Sequence, residues 1–464
     1  MTKTKIFLTF FLVLILSVTT AALLGQGPGG GQRGGPPTDP NLPQQPTAVS
    51  IPTVSAEVTG PGPMFDSSPS LPPTKGLASF KYEMKEYFVS GTANKKPYKT
   101  RIVVRKPSDN SKFSGLVLAE AMHPSGAAHM FEFTSTYLMS SGHAAVEIVT
   151  AGLEQFVELN KDRYKDLKID QDQVPEILAQ VGALVKRPSN TGPLAGLTVR
   201  KMVMGGTSAT AAVLIRYLPG HMVYRTPEMK TIYDGFMPTS NGATIRQVDV
   251  PLIQIPTMTE VSSGTVTARQ DGDAAGDQFR VYEFAGMAHV DSRDSVRFKP
   301  DPCKTPISLF PLQAYFSVAL NHLFDWVDKG KVPPHADRIL LDRNSANDGS
   351  LMALDEQGNA KGGIRNPYVD VPTAKIGVRN EAAVPPVTNP SHWIATHGAN
   401  APAQMCGLSG YQVAFSQDQL KKLYGNKKTY QDRVKRRVEE LEKAGWSLPV
   451  YRETILADAA RVEF

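Results

Sequence analysis

Apolar and polar residues alternate through "SFKYEMKEYFVSGT" (79–92) and "YKTRIVVRKP" (98–107), which predicts two paired strands where the chain first becomes orderly. The pattern then changes. "SGLVLAEAMHP" (114–124) is a buried apolar strand and "HAAVEIVT" (143–150) another, with "FEFTSTYLMSSG" (131–142) between them as a short helix closed by Gly142. "VPEILAQVGALVKR" (174–187) and "LQAYFSVALNHLFDWVDKG" (312–330) carry helical apolar spacing. "VRKMVMGG" (199–206), "TIYDGFMPTS" (231–240), "VPLIQIPTM" (250–258) and "FRVYEFAGM" (279–287) predict further strands. A hairpin followed by alternating strands and helices argues for an α/β protein, with a mainly parallel central sheet covered on both faces. Working residues in such sheets sit in loops beyond the carboxyl ends of the strands.

The two ends of the chain read differently. Residues 1–24, "MTKTKIFLTFFLVLILSVTTAALL", place lysines before an apolar run and small residues after it, the layout of a secretory signal peptide, with an uncleaved anchor as the alternative. Residues 25–50 are rich in Gly and Pro and predict a disordered tether. The expected catalytic core spans 51–340, and 341–464 is a loop-rich extension packing on it.

The chain has 464 residues, of which 41% are hydrophobic and 20% charged, enough apolar material for a sizeable core. The net charge of +6 does not imply nucleic-acid binding. Its excess lies in the signal region and in "KKLYGNKKTYQDRVKRR" (421–437), which reads as a charged helix face without interleaved aromatics. Two cysteines, Cys303 and Cys406, allow one disulfide in an exported chain; two buried thiols fit equally well.

The candidate chemistry centres on "VRKMVMGGTSATAAVLIRYL" (199–218), where a strand meets an alanine-rich helix at Gly-Gly-Thr-Ser. A phosphate loop needs more glycines and a following Lys-Ser or Lys-Thr, and a dinucleotide fingerprint needs its later glycines. A nucleophile elbow fits better: Gly206 and Ser208 are in place, while Thr210 stands where glycine is commonest. A serine needs a histidine to take its proton and a carboxylate to orient that histidine. Glu260 follows one predicted strand and His289 the next, in the order serine, acid, histidine. Asp234 is an alternative acid; Asp271, Asp273 and Asp277 read as a solvated loop, and Asp291 as a turn residue. The remaining histidines show no metal-ligand spacing, so no metal or cofactor is expected. The backbone N–H of Ala209 is one candidate oxyanion donor, and Met122 or His123 the other, since Pro124 has no N–H. Thr207 and Met287 are candidate pocket residues.

The chain resembles the α/β-hydrolase superfamily, and within it a family of exported "alpha/beta hydrolase domain" proteins, largely uncharacterised serine esterases. The resemblance rests on "GLVLAEAMHPSG", "NKDRYKDL", "GGTSAT", "IYDGFMPTS", "TMTEV" and "YEFAGMAHVD", and continues through "LFDWVDKGKVPP", "GNAKGGIRNPYVDVPTA" and "YQDRVKRRVEELEKAGW". It implies an α/β-hydrolase fold with Ser208 as nucleophile, Glu260 as acid and His289 as base. Two departures stand out: Ala209 where the family commonly has a polar residue, and Ala121, Met122 and His123 where it commonly has a tryptophan–asparagine pairing. The expectation is an exported enzyme, periplasmic or extracellular, cleaving a small-molecule or polymer-derived carboxylic ester through an acyl-enzyme. An amidase, peptidase or acyltransferase with the same residues, or a secreted binding protein on the same fold, is the alternative. The spacing from Ser208 to Glu260 leaves little room for a lid, so "GGIRNPYVDVPTAKIGV" (362–378) is the expected cover.

Overall fold

The computed structural model describes residues 42–464 except 72, 265, 294, 345–349 and 388–399; the expected signal peptide and most of the tether lie outside these residues. Among the described residues the central sheet has ten strands. They are β1 (Thr53–Val54), β2 (Tyr82–Ala93), β3 (Lys96–Pro107), β4 (Leu116–Ala121), β5 (Ala144–Ile148), β6 (Lys201–Thr207), β7 (Gly235–Thr239), β8 (Leu252–Gln254), β9 (Gly272–Ala274) and β10 (Asp277–Val281). Their spatial order is β9-β10-β8-β7-β6-β4-β5-β3-β2-β1. The run from β5 through β4, β6, β7 and β8 to β10 is parallel. The β2–β3 hairpin turns at Asn94 and Lys95, both at positive φ, which suits the twist of a two-residue hairpin.

Successive residues of the central strands face opposite cores. Leu118 and Val203 point to one, with Phe131, Tyr315, Phe316 and Leu320. Val117, Ala119, Met202 and Met204 point to the other, with Leu178, Leu214, Tyr217 and Phe236. Helices α1 (Val174–Lys186) and α2 (Ala209–His221) cover this second face, and the later α4 (Leu312–Lys329) covers the first; a short α3 (Met258–Ser262) follows β8. The chain leaves β4 for β5 on one side and returns to β6 on the other. The strand order therefore reverses beside β4, and a crevice opens at the carboxyl ends of β4 and β6.

Two expectations about domain organisation change. Residues 42–50 belong to the folded body: Thr47–Ala48 pairs with Tyr224–Arg225, Val49 is buried, and Leu42 packs against the second core. Those apolar side chains outweigh the Gly/Pro character of the segment before them. Residues 41–464 also form one compact unit, without a boundary at 340. The extension is loop-rich up to residue 387, then helical in α5 (Ala401–Ser409), α6 (Gln417–Tyr424), α7 (Lys427–Ala444) and α8 (Arg452–Arg461). The basic run occupies α6 and α7, whose apolar side buries Leu420, Tyr430, Val434 and Val438. Cys303 and Cys406 form a disulfide that ties α5 to the loop before α4. Among the described residues, no helix is long and apolar enough to cross a membrane.

Candidate active site

The turn after β6 holds Ser208 at φ 53° and ψ −117°, a conformation that non-glycine residues rarely adopt. Packing imposes it: Ser208 N–H donates to the Thr239 carbonyl (3.0 Å), while α2 begins at the very next residue. A Cβ on Gly206 would sit 2.5 Å from the Thr210 carbonyl oxygen, so only glycine fits there. Thr210 is tolerated because its hydroxyl works locally. It accepts from Thr207 N–H and donates to the Thr207 carbonyl, both at 2.9 Å.

Ser208 Oγ lies 2.9 Å from His289 Nε2, and His289 Nδ1 lies 2.6 Å from Glu260 Oε1. A carboxylate only accepts, so Nδ1 carries the proton and Nε2 is left to accept from the serine hydroxyl. Glu260 is fixed by a capping box: its Oε2 accepts from Thr257 N–H and from Thr257 Oγ, each at 2.8 Å, at the start of α3. Burial raises the Glu260 carboxyl, but the His289 ring and the hydrogen bonds from His289 and Thr257 outweigh it and hold the group below its usual value. Ser240 Oγ donates to the His289 carbonyl at 2.8 Å and anchors the histidine loop.

These side chains open onto a cavity of about 810 Å³ including its mouth. Its lining includes the polar side chains of Ser70, His123, Ser125, His129 and Glu132 and the apolar ones of Phe133, Val290, Phe298, Met405 and Leu408. Thr207 lines the cavity.

The remaining expectations divide. Ala209 is the first residue of α2, where an N–H has no carbonyl one turn back to bond. Met122 is corrected: it is fully buried, and its N–H donates to the Ile148 carbonyl (2.8 Å). The backbone N–H of His123 is spoken for as well, donating to the Ala127 carbonyl at 2.9 Å in a small loop bridge, although the ring lines the cavity. Met287 is corrected too; it is buried in the first core, where its carbonyl accepts from Met258 N–H. Asp234 stands before β7, at the opposite end of the sheet, paired with Lys186 at 2.7 Å. The stretch 362–378 runs beside residues 283–285, with Asn366 Nδ2 donating to the Ala285 carbonyl at 2.6 Å. The cavity wall comes instead from α5, through Gln404, Met405 and Leu408.

Reasoning from the sequence missed Ser70, Ser125, His129 and Glu132. His129 Nδ1 lies 3.1 Å from Glu132 Oε2, and Ser125 Oγ lies 3.3 Å from His129 Nε2 and 2.8 Å from His123 Nδ1. The only signal was the spacing of His129 and Glu132 on one helical turn.

The model of the alpha/beta hydrolase domain family matches residues 44–457. The chain belongs to that family. No curated protein matches it. Among solved structures, esterase Est22 is similar at 9% identity and a TM-score of 0.29 over 46% of this chain and 56% of that one. The chain thus spans little more than half of Est22. A cold-adapted esterase from an Arctic intertidal metagenomic library is 12% identical, with a TM-score of 0.25 over 43% and 84% of the two chains. LpqC, a poly(3-hydroxybutyrate) depolymerase from Bordetella parapertussis, is 9% identical, with a TM-score of 0.31 over 55% and 91%. These likenesses concern the fold of this hydrolase family member alone.

Proposed function

We propose that the protein is an exported carboxylic-ester hydrolase that works through an acyl-enzyme on Ser208. The observation that carries this reading is the continuous Ser208–His289–Glu260 hydrogen-bond chain, 2.9 and 2.6 Å, presented to the cavity from a strained turn. Ser208 Oγ attacks the ester carbonyl while His289 Nε2 takes its proton. Glu260 stabilises the imidazolium that forms. His289 then protonates the departing alcohol, and water, activated in the same way, releases the acid and restores Ser208. The N–H of Ala209 bonds the developing oxyanion. The His123 ring, which lines the same cavity and whose Nδ1 accepts from Ser125 N–H at 3.1 Å, is the candidate for the second donor. Nothing in these steps calls on a cofactor.

Export is inferred from residues 1–24, and the Cys303–Cys406 disulfide supports it, since such bonds persist in oxidising compartments. The N-terminal residue of the mature protein, read by mass spectrometry, tests it; an intact Met1 would overturn signal cleavage.

The test of the chemistry is intact mass after exposure to a fluorophosphonate. One adduct is expected on the wild type and none on Ser208→Ala or His289→Ala. A folded wild type that takes no adduct and hydrolyses no ester favours the binding-protein alternative.

A further inference from the structure

The corner that ends β7 reaches all three catalytic segments through two adjacent residues. The Thr239 carbonyl accepts from Ser208 N–H at 3.0 Å. Ser240 Oγ donates to the His289 carbonyl at 2.8 Å. Ser240 N–H donates, also at 2.8 Å, to the carbonyl of Ile255, just before the Thr257 that caps α3 and holds Glu260. Ser240 does this from φ 50°, and of the non-glycine residues at positive φ among the described ones it alone is buried. A serine suits such a position poorly if the corner only has to turn, because glycine adopts it without steric cost. What glycine lacks is the hydroxyl. Backbone strain kept beside a reacting group points to a role that overrides the backbone preference.

We infer that Ser240 is a positioning residue for the catalytic base: its hydroxyl sets where His289 stands relative to Ser208, and its main chain sets both against the Glu260 segment. This rests on the ester-hydrolase reading, in which His289 takes the proton of Ser208. The His289 ring has to meet Ser208 Oγ on one side and Glu260 Oε1 on the other, at 2.9 and 2.6 Å. A small shift of its backbone therefore breaks one contact or the other, and a misplacement of about 1 Å costs about 10²-fold in rate. Ser240 does not line the cavity, so it acts on the base and not on substrate binding.

The test compares wild type, Ser240→Gly and Ser240→Ala by Tm, by kcat and KM on 4-nitrophenyl butanoate, and by the rate of fluorophosphonate labelling. Glycine relieves the strain and deletes the hydroxyl, whereas alanine deletes the hydroxyl and keeps the strain. Ser240→Gly is expected to hold a Tm at or above that of Ser240→Ala. Both variants should nevertheless lose about ten- to a hundred-fold in kcat and in labelling rate, with KM changed less than about three-fold. A Ser240→Gly protein that keeps the wild-type kcat and labelling rate, or that fails to fold, makes Ser240 a purely structural residue and overturns the inference while leaving the esterase intact. A loss carried by KM alone overturns it too. Labelling needs only an activated serine, so a wild type that is labelled but hydrolyses no ester overturns the esterase reading and leaves positioning to be decided by the labelling rates. A wild type that takes no adduct overturns both.

Discussion

Two Ser–His–Glu strings face the same cavity. Ser208–His289–Glu260 gathers residues from three separate segments that each follow a strand, with separations of 2.9 and 2.6 Å. Ser125–His129–Glu132 comes from a single short stretch, with 3.3 and 3.1 Å. The side-chain types are the same, and the backbones are not. Ser208 sits at φ 53° on a sharp strand-to-helix turn, with the first N–H of α2 beside it. Ser125 also lies 2.8 Å from His123 Nδ1, so its hydroxyl is shared between two rings. A nucleophile needs a base whose partner does nothing else and a donor aimed at the oxyanion. The first string has both, and the second has the character of a scaffold.

The sharpest way to break this contrast is to delete each serine. Ser208→Ala is expected to lower kcat by about 10⁵ or more and abolish the fluorophosphonate adduct, whereas Ser125→Ala should keep the adduct and lose about ten-fold. Equal losses would make the strings equivalent. Next come the carboxylates. Glu260→Gln is expected to lower kcat by about 10⁴, since the amide favours the wrong tautomer of His289, and Glu132→Gln by far less. Glu260 carries a stability signature as well. Its folded-state pKa lies below its value of 4.5 in the absence of the fold, so its contribution is present above pH 4.5 and lost as pH falls through the folded value. The Tm gap between wild type and Glu260→Gln should narrow on that acid side.

A smaller effect sharpens the role of the apolar lining. Cys406→Ser opens a bridge spanning 103 residues and should cost about 2–5 kcal/mol, read by denaturant unfolding. Because Met405 and Leu408 flank the cysteine on α5, KM should rise while the rate of fluorophosphonate labelling changes little. The smallest effect lies beneath the helical turn 129–132. Glu120 accepts from Met130 and Phe131 N–H, and burial, with Glu147 nearby, pushes its carboxyl up to about 8. Such an acid binds its proton more tightly folded than unfolded, so stability drains away as pH rises from 4.5 to about 8. Glu120→Gln should flatten that slope in thermal unfolding measured across the range.

The parallel sheet was legible because residues 114–124 and 199–206 are apolar runs that only a strand buried on both faces explains, and the helices because their apolar spacing is regular. Ser208, Glu260 and His289 were legible because each follows a strand, and strand ends converge in this topology. Met122 and His123 were read less well. Sequence shows which residues have an N–H but not where it points, and both are used by neighbouring carbonyls. Ser70 was invisible: it belongs to the irregular segment before β2, and only packing carries it to Glu132, 62 residues further on. The covering wall was assigned to the right third of the chain and the wrong segment, because Gly and Pro content signals a loop without saying where the loop lies.

By itself, the sequence determined the class of fold, the order of its elements and the turn that strains Ser208, because periodicity, Gly206 and the small residues of α2 act over a few neighbours. Tertiary structure alone decided which distant side chains line the cavity and that Cys303 meets Cys406. Those outcomes depend on contacts between residues far apart in the chain, and a contact of that kind leaves no periodic mark in the sequence of either partner.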